Sequence, residues 1–314
     1  MTKQALNRLW KNEYFQTAIT IILLLIIVFG LYYGAQAALG TEYPALAVAS
    51  GSMLPTLNIG DLIIVQKIAP AQIHADPING DILVYWRGDE LIVHRAVDVR
   101  CDENGVYWIT TRGDNTNVND IPWPSTMLIG KVIVRIPAIG NLPLLLHSER
   151  NMYVLFLALI VVLIILIMFP FSTSGEEKSL KEEQRTEEKM LFSKISFRQI
   201  FYIIINIILL GLIIFSLWGS LTIPQPGATP QKATIYGMFP DVCFHESFPS
   251  ISKVYLSQSF LTYQINYEVS CSLRFGVSTF SWFQFFLIIL AAYNLWKLYN
   301  FLKAWKGKRQ KVGG

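Results

Sequence analysis

Four long apolar stretches divide the chain. Residues 14–34 contain AITIILLLIIVFGLYY, 151–171 contain VLFLALIVVLIILIMF, 199–221 contain IFYIIINIILLGLIIF, and 280–301 contain FFLIILAAYNLWKLY. About 20 apolar residues in a helix cross the roughly 30 Å of bilayer hydrocarbon, so the pattern predicts about four transmembrane helices. Between the first two spans, residues 35–150 switch to short apolar runs broken by turn signals. DLIIVQKI (61–68) reads as a strand, and DILVYW (81–86) with LIVHRAVDV (91–99) as a hairpin. DENG (102–105) leads into VYWITT (106–111), and GKVIVRI (130–136) reads as a further strand. A mainly-β, antiparallel domain follows.

Residues 222–279 begin irregularly, with Pro224, Pro226, Gly227 and Pro230, and then alternate. Tyr263, Ile265, Tyr267, Val269, Cys271, Leu273, Phe275 and Val277 share one parity. This is the pattern of a half-buried strand, with a break expected at Gly276 and a packing partner that the pattern does not name.

Charge sets the expected orientation. The chain has 314 residues, of which only 15% are charged and 53% hydrophobic, against about 25% charged in soluble domains. Basic residues concentrate in the tail 1–13 (Lys3, Arg8, Lys11), the charged loop 172–198 and the tail 302–314. By the positive-inside bias these three segments are cytoplasmic. Residues 35–150 and 222–279 then face the extracytoplasmic side. Topology accounts for the net charge of +4, which therefore does not point to nucleic acid. AQAA (35–38) after an apolar run resembles a signal-cleavage pattern, but the run is long for a signal peptide, so an uncleaved anchor is expected. Cys243 and Cys271 share the second outer segment, where a bridge and two free thiols both stand open. Cys101 reads as a buried inert thiol.

Three short stretches carry candidate chemistry. ASGSMLPTLNIGD (49–61) presents Ser50 and Ser52 just after the first span. A serine nucleophile needs a base within hydrogen-bond reach. VHR (93–95) supplies His94, the only one of the four histidines inside an apolar strand pattern, with an imidazole suited to proton transfer near neutrality. RGDNTNVND (112–120) offers Asp114 and Asp120. Taken singly, each has a bland reading, as a linker, a core histidine and a turn. Lys67 is the only lysine between Ser52 and His94 and reads as a rim residue.

Together, SGSMLPT, the Gly60-Asp61 and Gly80-Asp81 pairs, His94-Arg95, the Gly-Asp-Asn loop and GKVIVRIPAIG (130–140) resemble the type I signal peptidases over about residues 46–140. Histidine before arginine is similar to the archaeal and endoplasmic-reticulum branch, where the bacterial branch has lysine. The acidic loop departs from that branch at Thr116 and Asn119.

The resemblance implies a membrane-bound serine endopeptidase with Ser52 as nucleophile and His94 as base. Asp120 would partner the histidine and Asp114 support it, with the reverse order open. Ser50 and the Ser52 backbone N–H would form the oxyanion hole. Neither a metal nor a cofactor is implied. Signal peptides of secretory preproteins, membrane lipid, and a translocon or another membrane subunit are the partners so implied. Two other readings stand beside it: a dedicated peptidase for surface or pilin-like proteins, and a non-catalytic membrane-tethered β module.

Overall fold

The central strand explains why DILVYW is apolar without interruption. β1 (Ala45–Ala47) and β2 (Leu62–Gln66) precede β3 (Ile82–Arg87), which is buried on both faces. Ile82 and Val84 pack with Val48, Met53, Leu57, Ile63 and Val65 on one side. Leu83 and Tyr85 pack with Ala96, Ile109 and Trp123 on the other. Strand side chains alternate between faces, so a strand with core on both sides cannot show a polar parity.

The remaining strands of this region are β4 (Glu90–Cys101), β5 (Tyr107–Arg112), β6 (Trp123–Pro124) and β7 (Leu128–Ile136), followed by the short helix α2 (Asn141–Leu146). Before them runs the long helix α1 (Glu13–Leu39). The β3–β4 hairpin turns at Gly88, with φ +64. In the DENG turn, Asp102 Oδ1 accepts the N–H groups of Asn104 (2.9 Å) and Val106 (2.8 Å), and Gly105 takes the positive φ of +79.

The computed structural model describes residues 13–146, 197–224 and 232–312. The chain divides into two units, residues 1–38 with 146–201 and residues 39–145 with 202–314. Within the described residues the first unit consists mainly of α1. Three helices are long and apolar enough to cross a membrane: Ala18–Leu39, Gln199–Trp218 and Trp282–Lys303. The expected second span (151–171), the charged loop as far as residue 196 and most of the N-terminal tail lie outside the described residues. α1 continues through AQAA to Leu39.

The second unit continues with α3 (Phe197–Trp218), β8 (Ser220–Pro224), β9 (Lys232–Tyr236), α4 (Met238–Glu246), β10 (Ile251–Ser259), β11 (Thr262–Val269), β12 (Ser272–Arg274), β13 (Thr279–Phe280) and α5 (Trp282–Val312). Several expected boundaries move. The third span ends at Trp218, and Gly219 begins the exit. A Cβ there would lie 2.6 Å from the Phe215 carbonyl oxygen. The tail expected at 302–314 is helical to Val312 as an extension of the last span. Helices α3 and α5 are joined by Asn294 Nδ2, which donates to Asn206 Oδ1 at 2.8 Å. Such polar contacts hold apolar helices together where burial provides no drive.

Residues 222–279, whose packing partner the alternation does not name, find that partner in the first β domain. Strands β10 to β13 belong to the same sheet as the first β domain, in the order β10-β11-β13-β7-β3-β4-β5-β6. The junction is parallel, pairing Thr279 with Arg135, and Arg135 N–H donates to the Ser278 carbonyl at 2.8 Å. Trp282, at the start of α5, donates its indole N–H to the Pro137 carbonyl at 3.1 Å. The expected break at Gly276 comes earlier. Ser270 and Cys271 both have positive φ, 52 and 63, and form the two-residue turn between β11 and β12, where paired left-handed residues match the strand twist. The parity is lost there, and Leu273 and Phe275 are exposed. Cys101, Cys243 and Cys271 are all free and exposed, so the expected burial of Cys101 does not hold.

Candidate active site

The serine loop is an excursion from the end of β1 to the start of β2. Its ends are tied by Val48 N–H to Asp61 O and Gly60 N–H to Val48 O, both 2.9 Å. Met53 and Leu57 are 1% and 0% exposed and anchor the loop in the core, worth about 1.5–3 kcal/mol each by apolar burial. Ser52 is thus held partly exposed beside the buried Met53. Its hydroxyl lies 3.3 Å from that of Ser50. The acidic loop meets it directly: Asn115 N–H donates to Ser52 O at 2.8 Å, and Asn115 Nδ2 donates to Gly51 O at 3.1 Å.

His94 and Arg95 are neighbours on β4 and point to opposite faces. His94 Nδ1 lies 2.6 Å from Asp120 Oδ2. The same oxygen accepts the hydroxyl of Thr111 at 2.7 Å and that of Tyr85 at 3.2 Å. Thr111 in turn accepts the Trp123 indole N–H at 3.1 Å, and the Trp123 ring stacks on Tyr85 at 4.1 Å. Asp120 itself is fixed by its N–H to Thr111 O at 2.7 Å. Burial acts to raise Asp120, but the hydrogen bonds from His94 and Thr111 prevail and hold it below the usual carboxylate value. An ionised carboxylate only accepts, so the shared hydrogen belongs to Nδ1 and the lone pair of the neutral ring to Nε2. Burial pushes the Tyr85 phenol up to about 12, so it stays a donor.

Gly113 fills the space between this imidazole and the serine loop. A Cβ at Gly113 would stand 3.1 Å from His94 Nε2 and 2.6 Å from Ser52 O. His94 Nε2 and the Ser52 backbone therefore both lie against one glycine. No hydrogen bond joins Ser52 Oγ to His94 in this state. Nucleophile–base hydrogen bonds are often long in free enzymes and tighten when substrate binds.

Asp114 sits elsewhere. It receives Arg95 as a fork, Nε to Oδ1 at 2.8 Å and Nη2 to Oδ2 at 2.7 Å. Arg274 Nη1 lies 3.1 Å from Oδ1, and the Thr56 hydroxyl donates to Oδ2. Its burial acts to raise it, and the two guanidinium groups with their hydrogen bonds hold it below the usual range. The structure thus brings Ser50, Ser52, His94 and Asp120 to one place and puts Asp114 among arginines. Lys67 is exposed, with its side chain along Gly40. Sequence reasoning missed Thr111, Tyr85, Trp123, Thr56 and Arg274. Thr56 lies within the SGSMLPT motif, but its bond to Asp114 was not visible there; the other four carry no local signal, because each reads as an ordinary strand position. Gly113 was visible in the Gly-Asp-Asn motif, but its role as a spacer was not.

No protein-family model matches the chain. It is 30% identical over 149 residues to the signal peptidase complex catalytic subunit sec11 of Dictyostelium discoideum, covering 44% of this chain and 80% of that protein. The chain belongs to the family of signal peptidase complex catalytic subunits. The human catalytic subunit SEC11C is 30% identical over 118 residues, and the SEC11 of Plasmodium falciparum 35% over 83. The chain spans 59% of the human protein and 42% of the parasite one. More than half of this chain lies outside each match to a SEC11 protein, so the family likeness does not extend over its whole length.

Proposed function

We propose that the chain is a membrane-bound serine endopeptidase that removes signal peptides from exported preproteins. The observation that carries this reading is the His94–Asp120 pair at 2.6 Å, whose free Nε2 faces the same glycine as Ser52. In the first step the Ser52 hydroxyl adds to the scissile carbonyl and passes its proton to His94 Nε2. Asp120 stabilises the imidazolium through Nδ1–H. The C–N bond then breaks, the leaving amine takes the proton from His94, and the mature protein departs. Water, deprotonated by His94, cleaves the Ser52 ester and frees the signal peptide. The oxyanion is received by the Ser52 N–H and the Ser50 hydroxyl, already 3.3 Å from Ser52 Oγ.

The substrate enters as an extended strand with small residues at P1 and P3. Among the described residues β1 pairs only with β2, and strand addition to an open edge is a common mode of peptide recognition. In this reading the sheet faces the extracytoplasmic side and both termini lie in the cytoplasm, which the concentration of basic residues in 1–13, 172–198 and 302–314 supports. The relatives are named as subunits of a complex, and a membrane subunit or translocon is the partner we expect.

The test is preprotein cleavage in membranes by single variants. Ser52→Ala and His94→Ala lose cleavage by several orders of magnitude, and Asp120→Asn by about 10⁴-fold, as in other serine triads. Full cleavage by Ser52→Ala sinks the enzyme reading. An imidazole base gives a rising limb in the neutral pH range, and a limb well into the alkaline range indicates a lysine instead.

A further inference from the structure

Four chain segments meet at Asp114. Thr56 is four residues after the nucleophile, Arg95 follows the base, and Asp114 itself follows the spacer Gly113. The fourth segment is 251–281. Arg274 from β12 pairs with Asp114 at 3.1 Å. Tyr267 from β11 has its hydroxyl 2.6 Å from Thr56 Oγ1. The Arg274 guanidinium lies 5.8 Å from the Tyr267 ring centroid, within cation–π range. All are buried: Tyr267 is 1%, Thr56 2% and Arg274 7% exposed. Arg95 is also tied to the Gly80 carbonyl at 2.8 Å, and β12 reaches the same turn through Phe275 N–H to Asn79 Oδ1 at 3.1 Å. A local tie of the serine turn needs only Arg95 and Thr56. The two additional groups come from a part of the chain more than 150 residues beyond Asp114 in sequence.

We propose that Arg274 and Tyr267 are positioning residues for peptide-bond cleavage: through Asp114 and Thr56 they hold the Ser52 turn in register with the His94 strand. The segment 251–281 is then part of the catalytic unit and not a detachable binding module. This inference rests on the peptidase reading above. Its physical basis is that reacting groups must be held to within a fraction of an ångström, and that a displacement of about 1 Å costs on the order of 100-fold in rate.

The experiment uses the full chain in membranes or detergent. It measures kcat and KM on a preprotein and the rate at which a serine-directed acylating probe labels Ser52. Arg274→Ala is expected to lower kcat and probe labelling together by about tenfold to 100-fold, with KM within about twofold of the parent. The neutral limb of the pH profile stays in place, because His94 and Asp120 are untouched. Arg274→Lys, or added guanidinium ion with Arg274→Ala, recovers part of the loss. Tyr267→Phe, which removes one hydroxyl, lowers kcat by a few-fold. A kcat within twofold of the parent in Arg274→Ala, or a change in KM alone, overturns the proposal. If Arg274→Ala does not accumulate, Tyr267→Phe decides, and an unchanged kcat there overturns it. Ser52→Ala, run beside them, separates the two readings: if it is inactive while the Arg274 and Tyr267 variants are normal, only the positioning role fails. If Ser52→Ala still cleaves, the peptidase reading itself fails.

Discussion

Two buried ionic clusters fasten the segment 238–281 to the first β domain, and their charge balances are opposite. Near the serine, one carboxylate, Asp114, faces two guanidinium groups, Arg95 and Arg274. At the far end of the serine loop, one guanidinium, Arg135, faces two carboxylates: Asp61 Oδ2 at 2.5 Å and Asp241 Oδ2 at 3.2 Å. Asp241 also holds the Tyr263 hydroxyl at 2.9 Å and Asn58 Nδ2 at 3.3 Å. The consequence appears in the acids. The surplus of cations keeps Asp114 ionised against its burial. Asp61 is pushed up to about 6, chiefly by burial and further by Asp241, with Arg135 offsetting only part. One group in two buried settings is thus a fixed anion in the first and a carboxyl that takes up a proton under mild acid in the second. A buried ion pair is not stabilising as such, because desolvation opposes it. The neighbours decide the sign.

The contrast can be broken most forcibly at Asp114. Asp114→Asn leaves two buried guanidinium groups without a counter-charge and is expected to lower stability by about 3–5 kcal/mol, read by chemical unfolding of the detergent-solubilised protein. Gly113→Ala leaves both clusters intact but inserts a methyl between His94 Nε2 and Ser52 O. The expected loss in kcat is about tenfold to 100-fold, together with a lower melting temperature, because the methyl would stand 2.6 Å from a backbone oxygen. A normal kcat in that variant means that the glycine does not space the two groups.

The pH response of the two clusters has opposite sign. Asp114 is lower in the folded state than in the unfolded chain, so its contribution is fully present above about pH 4 and is lost as pH falls through its folded value. Asp61 is higher in the folded state. The unfolded chain gives up this proton near pH 3.8 and the folded protein near 6, so stability falls as pH rises across that window. The fall should be on the order of 1–3 kcal/mol, measured as a drop in melting temperature between pH 4.5 and 6.5 that Asp61→Asn abolishes. The smallest effect is expected for Asp241→Asn at pH 7. It removes the surplus acid and leaves a one-to-one pair of Arg135 with Asp61, so stability should change by no more than about 1 kcal/mol. A loss as large as that from Asp114→Asn would show that the charge surplus is not what distinguishes the clusters.

Much of this architecture is legible in the sequence because its cause is local. The β3–β4 hairpin follows from two apolar runs around Gly88. The serine loop and the Gly-Asp-Asn loop follow from short motifs, and the candidate triad from the single histidine within a strand pattern. What connects 222–279 to the sheet is not local. Arg274 occupies the polar parity of an alternating run and reads as a solvated position. Only the fold, across 160 residues, brings it to Asp114. Asp241 and Arg135 are likewise unremarkable apart and buried together. The strand break was misjudged because Gly276 is the obvious turn former, whereas Ser270 and Cys271 accept positive φ without a glycine. At Gly276 a Cβ would stand 2.2 Å from the Ile265 carbonyl oxygen, so that glycine serves close packing and not reversal.

The joint between β13 and α5 has a consequence for how the protein works at a bilayer. One residue, Ser281, separates Phe280 from Trp282, and the Trp282 indole is bonded to Pro137 at the end of the serine-bearing sheet. A loose tether would let the sheet swivel through many orientations relative to the last apolar helix, of which few would, on the proposed peptidase reading, present the serine loop to a chain leaving the membrane. A one-residue hinge pinned by an indole removes most of that search in advance. Lengthening it with a flexible glycine-serine insert after Ser281 would keep every residue of the site and still dilute the productive orientation.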